Sequence, residues 1–152
     1  MGLRCPNARL DGLPDNVGAT ERSSRVVTVD SAAGNCLTLD LGSGRFALYA
    51  HLQPGSLKVK LGDHANAGQA PARLGNSGNS DAPHLHFQST DGNSPMGSEG
   101  IPYELEVFTQ LGVLGDQEVP LDKGKAWKPK TQERLVVHQG EFPIDKAVVY
   151  FQ

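Results

Sequence analysis

The sequence predicts a mostly-β fold, a twisted antiparallel sheet of short strands, on three observations. Glycine and proline are frequent, 18 and 10 among 152 residues, which punctuates the chain too often for long regular elements. Apolar residues fall in short β-branched or alternating runs bounded by turn residues. No stretch carries a helical apolar period of convincing length, and there is no internal repeat.

Taken in order, residues 1–24 are polar and broken by Cys5-Pro6-Asn7, Leu13-Pro14-Asp15-Asn16 and Gly18, and read as an irregular N-terminal segment. Val26-Val27-Thr28-Val29 is β-branched and reads as a strand. Residues 36–41 alternate, Gly42-Ser43-Gly44 is a tight connection, and residues 45–52 follow as the hairpin partner. Residues 57–61 read as a short amphipathic strand with Lys58 and Lys60 on one face. Gly62-Asp63 turns it. Residues 75–80 form a Gly/Ser/Asn loop, and Leu85-His86-Phe87 is a strand. Residues 91–100 are a Gly/Ser/Pro loop, and residues 105–108 make one more strand. Residues 116–130, with Lys123, Lys125, Lys128 and Lys130 interspersed, read as solvated surface or linker. Residues 135–137 and 147–151 are expected to pair as late strands. The organisation expected is residues 1–24 irregular, 25–108 a β-domain, and 109–152 a tail whose structure the sequence leaves open.

Composition excludes some functions. The formal net charge is -3 and there is no basic cluster, so the counterion-displacing surface of a nucleic-acid binder is missing. No apolar run approaches the ~20 residues that span a bilayer. Residues 1–10 hold one arginine and no apolar core, so they are not a secretory signal. The chain reads as cytoplasmic or as a fragment exported by a signal elsewhere, and its localisation stays open. Cys5 and Cys36 have no CxxC spacing, which argues against a cysteine zinc or redox site. They are a disulfide pair or two thiols.

Three histidines have informative surroundings. His84-Leu85-His86 lies in an expected strand, where a period of two turns both imidazoles to one face and Leu85 to the core. Two neutral imidazoles on one face suit zinc binding, or one ligand beside one acid–base group. They equally suit a polar strand surface. His51 ends the run of strand residues 46–50, as a capping, surface or site residue. His64 sits in the Gly62-Asp63 turn and is expected to be exposed, and nothing near His138 suggests a role.

The order of segments adds to this. Tyr49-Ala50-His51-Leu52 is followed by Val59-Lys60-Leu61-Gly62-Asp63, then Gly68-Gln69, then Gly75-Asn76-Ser77-Gly78-Asn79-Ser80, then Pro83-His84-Leu85-His86-Phe87. This run resembles the lysostaphin/LytM-type zinc metallo-endopeptidases from about residue 26 to 88. The resemblance implies a LytM-like sheet of the duplicated-hybrid-motif type with a groove over it. It implies His86 as a zinc ligand, with His51 and His84 flanking the metal-bound water and assisting attack on a peptide carbonyl. The partner implied is the cross-linking peptide of bacterial cell walls, often at glycine-rich bonds.

The chain also departs from that pattern. The family's other two ligands, an upstream HxxxD pair, have no counterpart, because residues 1–50 contain no histidine. The chain therefore reads as an N-terminally incomplete or degenerate copy. It is expected to bind zinc weakly and to be inactive alone, or to be a non-catalytic binding or activator module. Pro71 after Gly68-Gln69 fits only an edge or bulge. A local set of Cys36, Asp40 and His86 is a conceivable substitute cage. Missing first strands would leave a sheet edge open to self-association.

Overall fold

The computed structural model describes residues 2–4, 11–16, 27–114 and 135–151. Cys5, Gly18, Val26 and the four lysines between residues 123 and 130 lie outside them. The chain divides into two compact units, Met1–Ile101 and Pro102–Gln152. The mostly-β expectation holds in both.

The first unit is an antiparallel sheet in the order β1 (Gly2–Arg4), β2 (Asn35–Gly42), β3 (Arg45–Leu52), β4 (His86–Thr90). Its β2–β3 hairpin closes through Ser43-Gly44, with φ of 54° and 70°. Two successive positive φ values match the twist of the flanking strands, and glycine adopts such a conformation without a Cβ penalty.

Alternation gives the sheet two apolar faces. Leu37, Tyr49 and Phe87 are cross-strand neighbours on one, with the Tyr49 and Phe87 rings edge-on at 5.0 Å. Leu52, Leu57, Val59, Ala65 and Ala72 complete that layer. Burying side chains such as Leu37 and Leu52 contributes roughly 1.5–3 kcal/mol each. Cys36, Leu48 and Ala50 form the core of the other face, with Ala33 packed against them. Small residues dominate there, which leaves room above the sheet.

Three local expectations fail, the first two for identifiable reasons. Residues 27–29 do not form a strand. The Thr28 N–H donates to Ser31 Oγ at 2.9 Å, and this stabilises a 3-10 turn, Val29–Ser31, instead. Residues 57–61 partly bury Leu57 and Val59 as an amphipathic strand would, but form no ladder. The Lys58 N–H donates to the Pro71 carbonyl at 2.8 Å. Proline has no N–H to return the second bond of an antiparallel pair. Leu85 is 44% exposed rather than turned to a core.

The second unit is a three-stranded antiparallel sheet with β5 (Leu105–Val113) in the centre, flanked by β6 (Val136–Glu141) and β7 (Ala147–Tyr150). The two late strands thus pair with β5, not with each other. Phe108 is the buried anchor, stacked on His138 at 4.8 Å. His138 also meets Glu141 Oε2 at 2.7 Å, which ties it to its own strand.

Candidate active site

His51, His84 and His86 come together on the small-residue face of the first sheet. The His51 ring centroid lies 4.8 Å from that of His84 and 5.8 Å from that of His86. His86 is in register with Ala50 and shares its face. His84 bridges Gly75 just before β4, two residues earlier and on the same side.

His51 reaches this cluster only because β3 breaks its alternation. Simple alternation would place it on the face of Tyr49. Between the pairs Leu37–Tyr49 and Asn35–Leu52, however, Cys36 alone opposes Ala50 and His51. This is a β-bulge, a device that re-aims a side chain. His51 carries its strain, with φ of 60°. Histidine tolerates that region better than most residues, but at a cost. His51→Gly should therefore be less destabilised than His51→Ala by about 1 kcal/mol in denaturant melts. Equal stability of the two variants, or the reverse order, would refute the strain at this bulge.

Carbonyl groups set the tautomers. His51 Nδ1 is 2.8 Å from the Ser77 carbonyl, and His84 Nδ1 is 2.8 Å from the Ala82 carbonyl. A carbonyl only accepts, so each Nδ1 carries the proton and each Nε2 is the basic nitrogen. Burial, opposed by the Ser77 hydrogen bond and reinforced by His84 and His86, pushes the His51 pKa below its ordinary value. His51 is a neutral imidazole able to accept a proton. His86 is exposed, with Nε2 3.2 Å from Gln88 Oε1.

A cavity of about 190 Å³ opens beside His51 and His86, lined among others by Leu48, Ala50, Pro95 and Met96. Its Pro95-Met96 wall belongs to the loop of residues 91–100. That loop is closed on itself by the Glu99 N–H donating to Asp91 Oδ1 at 2.9 Å, and on β4 by the Ile101 N–H donating to the Ser89 carbonyl at 2.8 Å.

The profile of Peptidase family M23 matches residues 15–97, more than half of the 152-residue chain. The chain belongs to Peptidase family M23. A solved structure of a mutant catalytic domain of the prophage-encoded M23 protein EnpA from Enterococcus faecalis is 24% identical. That match covers 65% of this chain and 68% of the other, with a TM-score of 0.40. No curated protein matches the chain.

M23 peptidases are generally zinc-dependent, and the donors among the described residues do not make a complete cage. Among the described residues, no three or more His, Cys, Asp or Glu side chains are grouped to hold a metal ion. Cys36 and Asp40 share the face of His86, but four residues of β2 separate them by roughly 13 Å. One ion cannot bind both. Cys36 is also a buried thiol, and Asp40 Oδ1 accepts the Gly42 N–H at 2.9 Å in the hairpin turn. His64 is exposed and outside the cluster.

The structure adds residues that sequence reasoning passed over. Asn35, Asn76, Ser77 and Ser80 support the histidines from behind, and Asn16 joins them. The Gly-Asn-Ser-Gly-Asn-Ser run marked a loop, but nothing in it announced which carbonyl each imidazole would meet.

Proposed function

We propose that this chain is a peptide-binding module of the M23 type, which engages cell-wall cross-linking peptides in the histidine groove and does not hydrolyse them alone. The observation that carries this reading is the pairing of a preserved groove with an incomplete ligand set. His51 and His86 line a cavity bounded by Pro95 and Met96, with the His84 ring centroid 4.8 Å from that of His51, whereas no metal-holding group of three exists among the described residues. M23 relatives act on cell-wall peptidoglycan. In such a groove the imidazoles accept hydrogen bonds from substrate amide N–H groups, and the apolar wall excludes water from the peptide. His86, the metal ligand by family position, is left as a polar contact. The zinc that a complete family site holds would activate water there.

A second reading is a hydrolase whose remaining ligands come from outside the described residues. It is favoured by the matched tautomers of His51 and His84, which suit proton transfer as well as binding.

The test is an NMR titration of the labelled chain with a glycine-rich wall peptide, followed by mass analysis of the peptide. Shifts at Ala50, His51, His84, His86 and Met96, with the peptide intact, are expected. Shifts confined to other regions would remove the groove assignment, and cleaved peptide would favour the second reading.

A further inference from the structure

The N-terminal segment, residues 11–16, reads from sequence as irregular loop, yet it is bonded to the loop that orients the histidines. Asn16 and Asn76 hold each other reciprocally. The Asn16 N–H donates to the Asn76 carbonyl at 2.9 Å, and Asn76 Nδ2 donates to the Asn16 carbonyl at 3.0 Å. Asn16 Nδ2 donates further to the carbonyls of Gly78 and Ser80, at 2.9 and 2.8 Å. The Asn76 N–H donates to Asp15 Oδ1 at 2.8 Å. Asn76 is 4% exposed, so these bonds take the place of water that its polar atoms would otherwise need.

From this loop two links run to the imidazoles. The Ser77 carbonyl accepts from His51 Nδ1 at 2.8 Å. Ser80 Oγ donates to Asn76 Oδ1 at 2.7 Å and lies 3.2 Å from His84 Nδ1. We propose that Asn16 is a positioning residue: residues 15–16 strap the 76–80 loop in place, so that its Ser77 carbonyl fixes the ring orientation and tautomer of His51, and its Ser80 hydroxyl, 2.9 Å from the Ala82 carbonyl, helps hold the ring of His84. The strap touches neither imidazole. It acts through Asn76 and the loop carbonyls, as outer hydrogen-bonding groups orient the groups that do the chemistry. The inference rests on the histidine pair being the working groups of the proposed function. Its test reads the rings directly and needs neither peptide nor turnover, so the two can fail separately.

The experiment uses the full chain labelled with 15N, with ring nitrogen shifts and amide hydrogen exchange as readouts. Asn16→Asp keeps the shape but replaces the two donors of Nδ2 by an oxygen facing two carbonyls. Exchange in residues 76–80 should rise on the order of tenfold or more. The Nδ1–H signals of both His51 and His84 should be lost, with β2 and β3 amides still protected. Ser80→Ala should disturb His84 while sparing His51, and Ser80→Thr should restore the His84 signal. Retention of both ring signals in Asn16→Asp, despite loosened loop amides, would overturn the proposal. If Asn16→Asp loses protection throughout, Asn16 belongs to the folding core and the strap assignment is wrong. An unchanged His84 in Ser80→Ala would remove the hydroxyl link.

Discussion

Zinc titrated into the purified chain is expected to bind more weakly than about 1 µM, and glycine-rich or wall peptides are expected to survive incubation with it, with or without a chelator. Tight protein zinc sites depend on several ligands acting at once, worth about 10–16 kcal/mol in small zinc-binding peptides. A catalytic site of this type needs three protein ligands and an open water position. Here Nε2 is the basic nitrogen of His51 and His84, but no three His, Cys, Asp or Glu side chains among the described residues are grouped to hold an ion. Cys36 and Asp40 lie too far apart to complete such a group together. His86→Ala should therefore change zinc affinity little. Calorimetry, followed by a cleavage assay on the same sample, checks both halves. Sub-micromolar binding with chelator-sensitive cleavage, both lost in His86→Ala, would show that donors outside the described residues, or on a second copy, complete the cage.

Gly34→Ala is expected to destabilise the first unit by roughly 2–5 kcal/mol, the sum of a left-handed backbone penalty and overpacking against a fixed neighbour. Gly34 has φ of +64°, and a Cβ there would lie 2.4 Å from the Ser77 carbonyl oxygen and 2.6 Å from Ser77 Oγ. Ser77 cannot retreat cheaply. Its hydroxyl accepts the Asn35 N–H at 2.9 Å and donates to the Leu52 carbonyl at 2.8 Å, while its carbonyl holds His51. Gly55 is the control. It has nearly the same φ, +66°, but nothing within 4 Å of the added Cβ, so Gly55→Ala should cost only about 1–2 kcal/mol. Such a loss for Gly34→Ala is a large fraction of a domain's usual 5–15 kcal/mol. Chemical denaturation of the two variants side by side decides this. A Gly34→Ala curve that overlays Gly55→Ala would mean that the Gly34–Ser77 approach is looser than described.

Much of the site was legible in local order. The β2–β3 hairpin follows from alternation around Ser43-Gly44, and the common face of His84 and His86 follows from strand period. The segments from Tyr49 to Phe87 resemble the M23 pattern in sequence order. The absence of any histidine before His51 was likewise visible without coordinates. These features depend on near neighbours in the chain, where period and turn chemistry act directly.

Other features depended on contacts across the chain. His51 joins the other imidazoles through a bulge, and its bulged conformation depends on pairing between β2 and β3, not on its flanking residues. Asn16 lies 60 residues from Asn76, and polar loop residues do not announce which carbonyls they will meet. Residues 57–61 had the alternation of a strand, yet the chain across from them is Pro71, which lacks the N–H a ladder requires. The flanking of β5 by both late strands was also a choice among partners that local propensity leaves equal. Sequence by itself determined the strand grammar, the family pattern and the lack of any histidine before His51. Tertiary structure alone decided which histidine nitrogens are basic and what holds them, because those properties arise from hydrogen bonds between segments far apart in the chain.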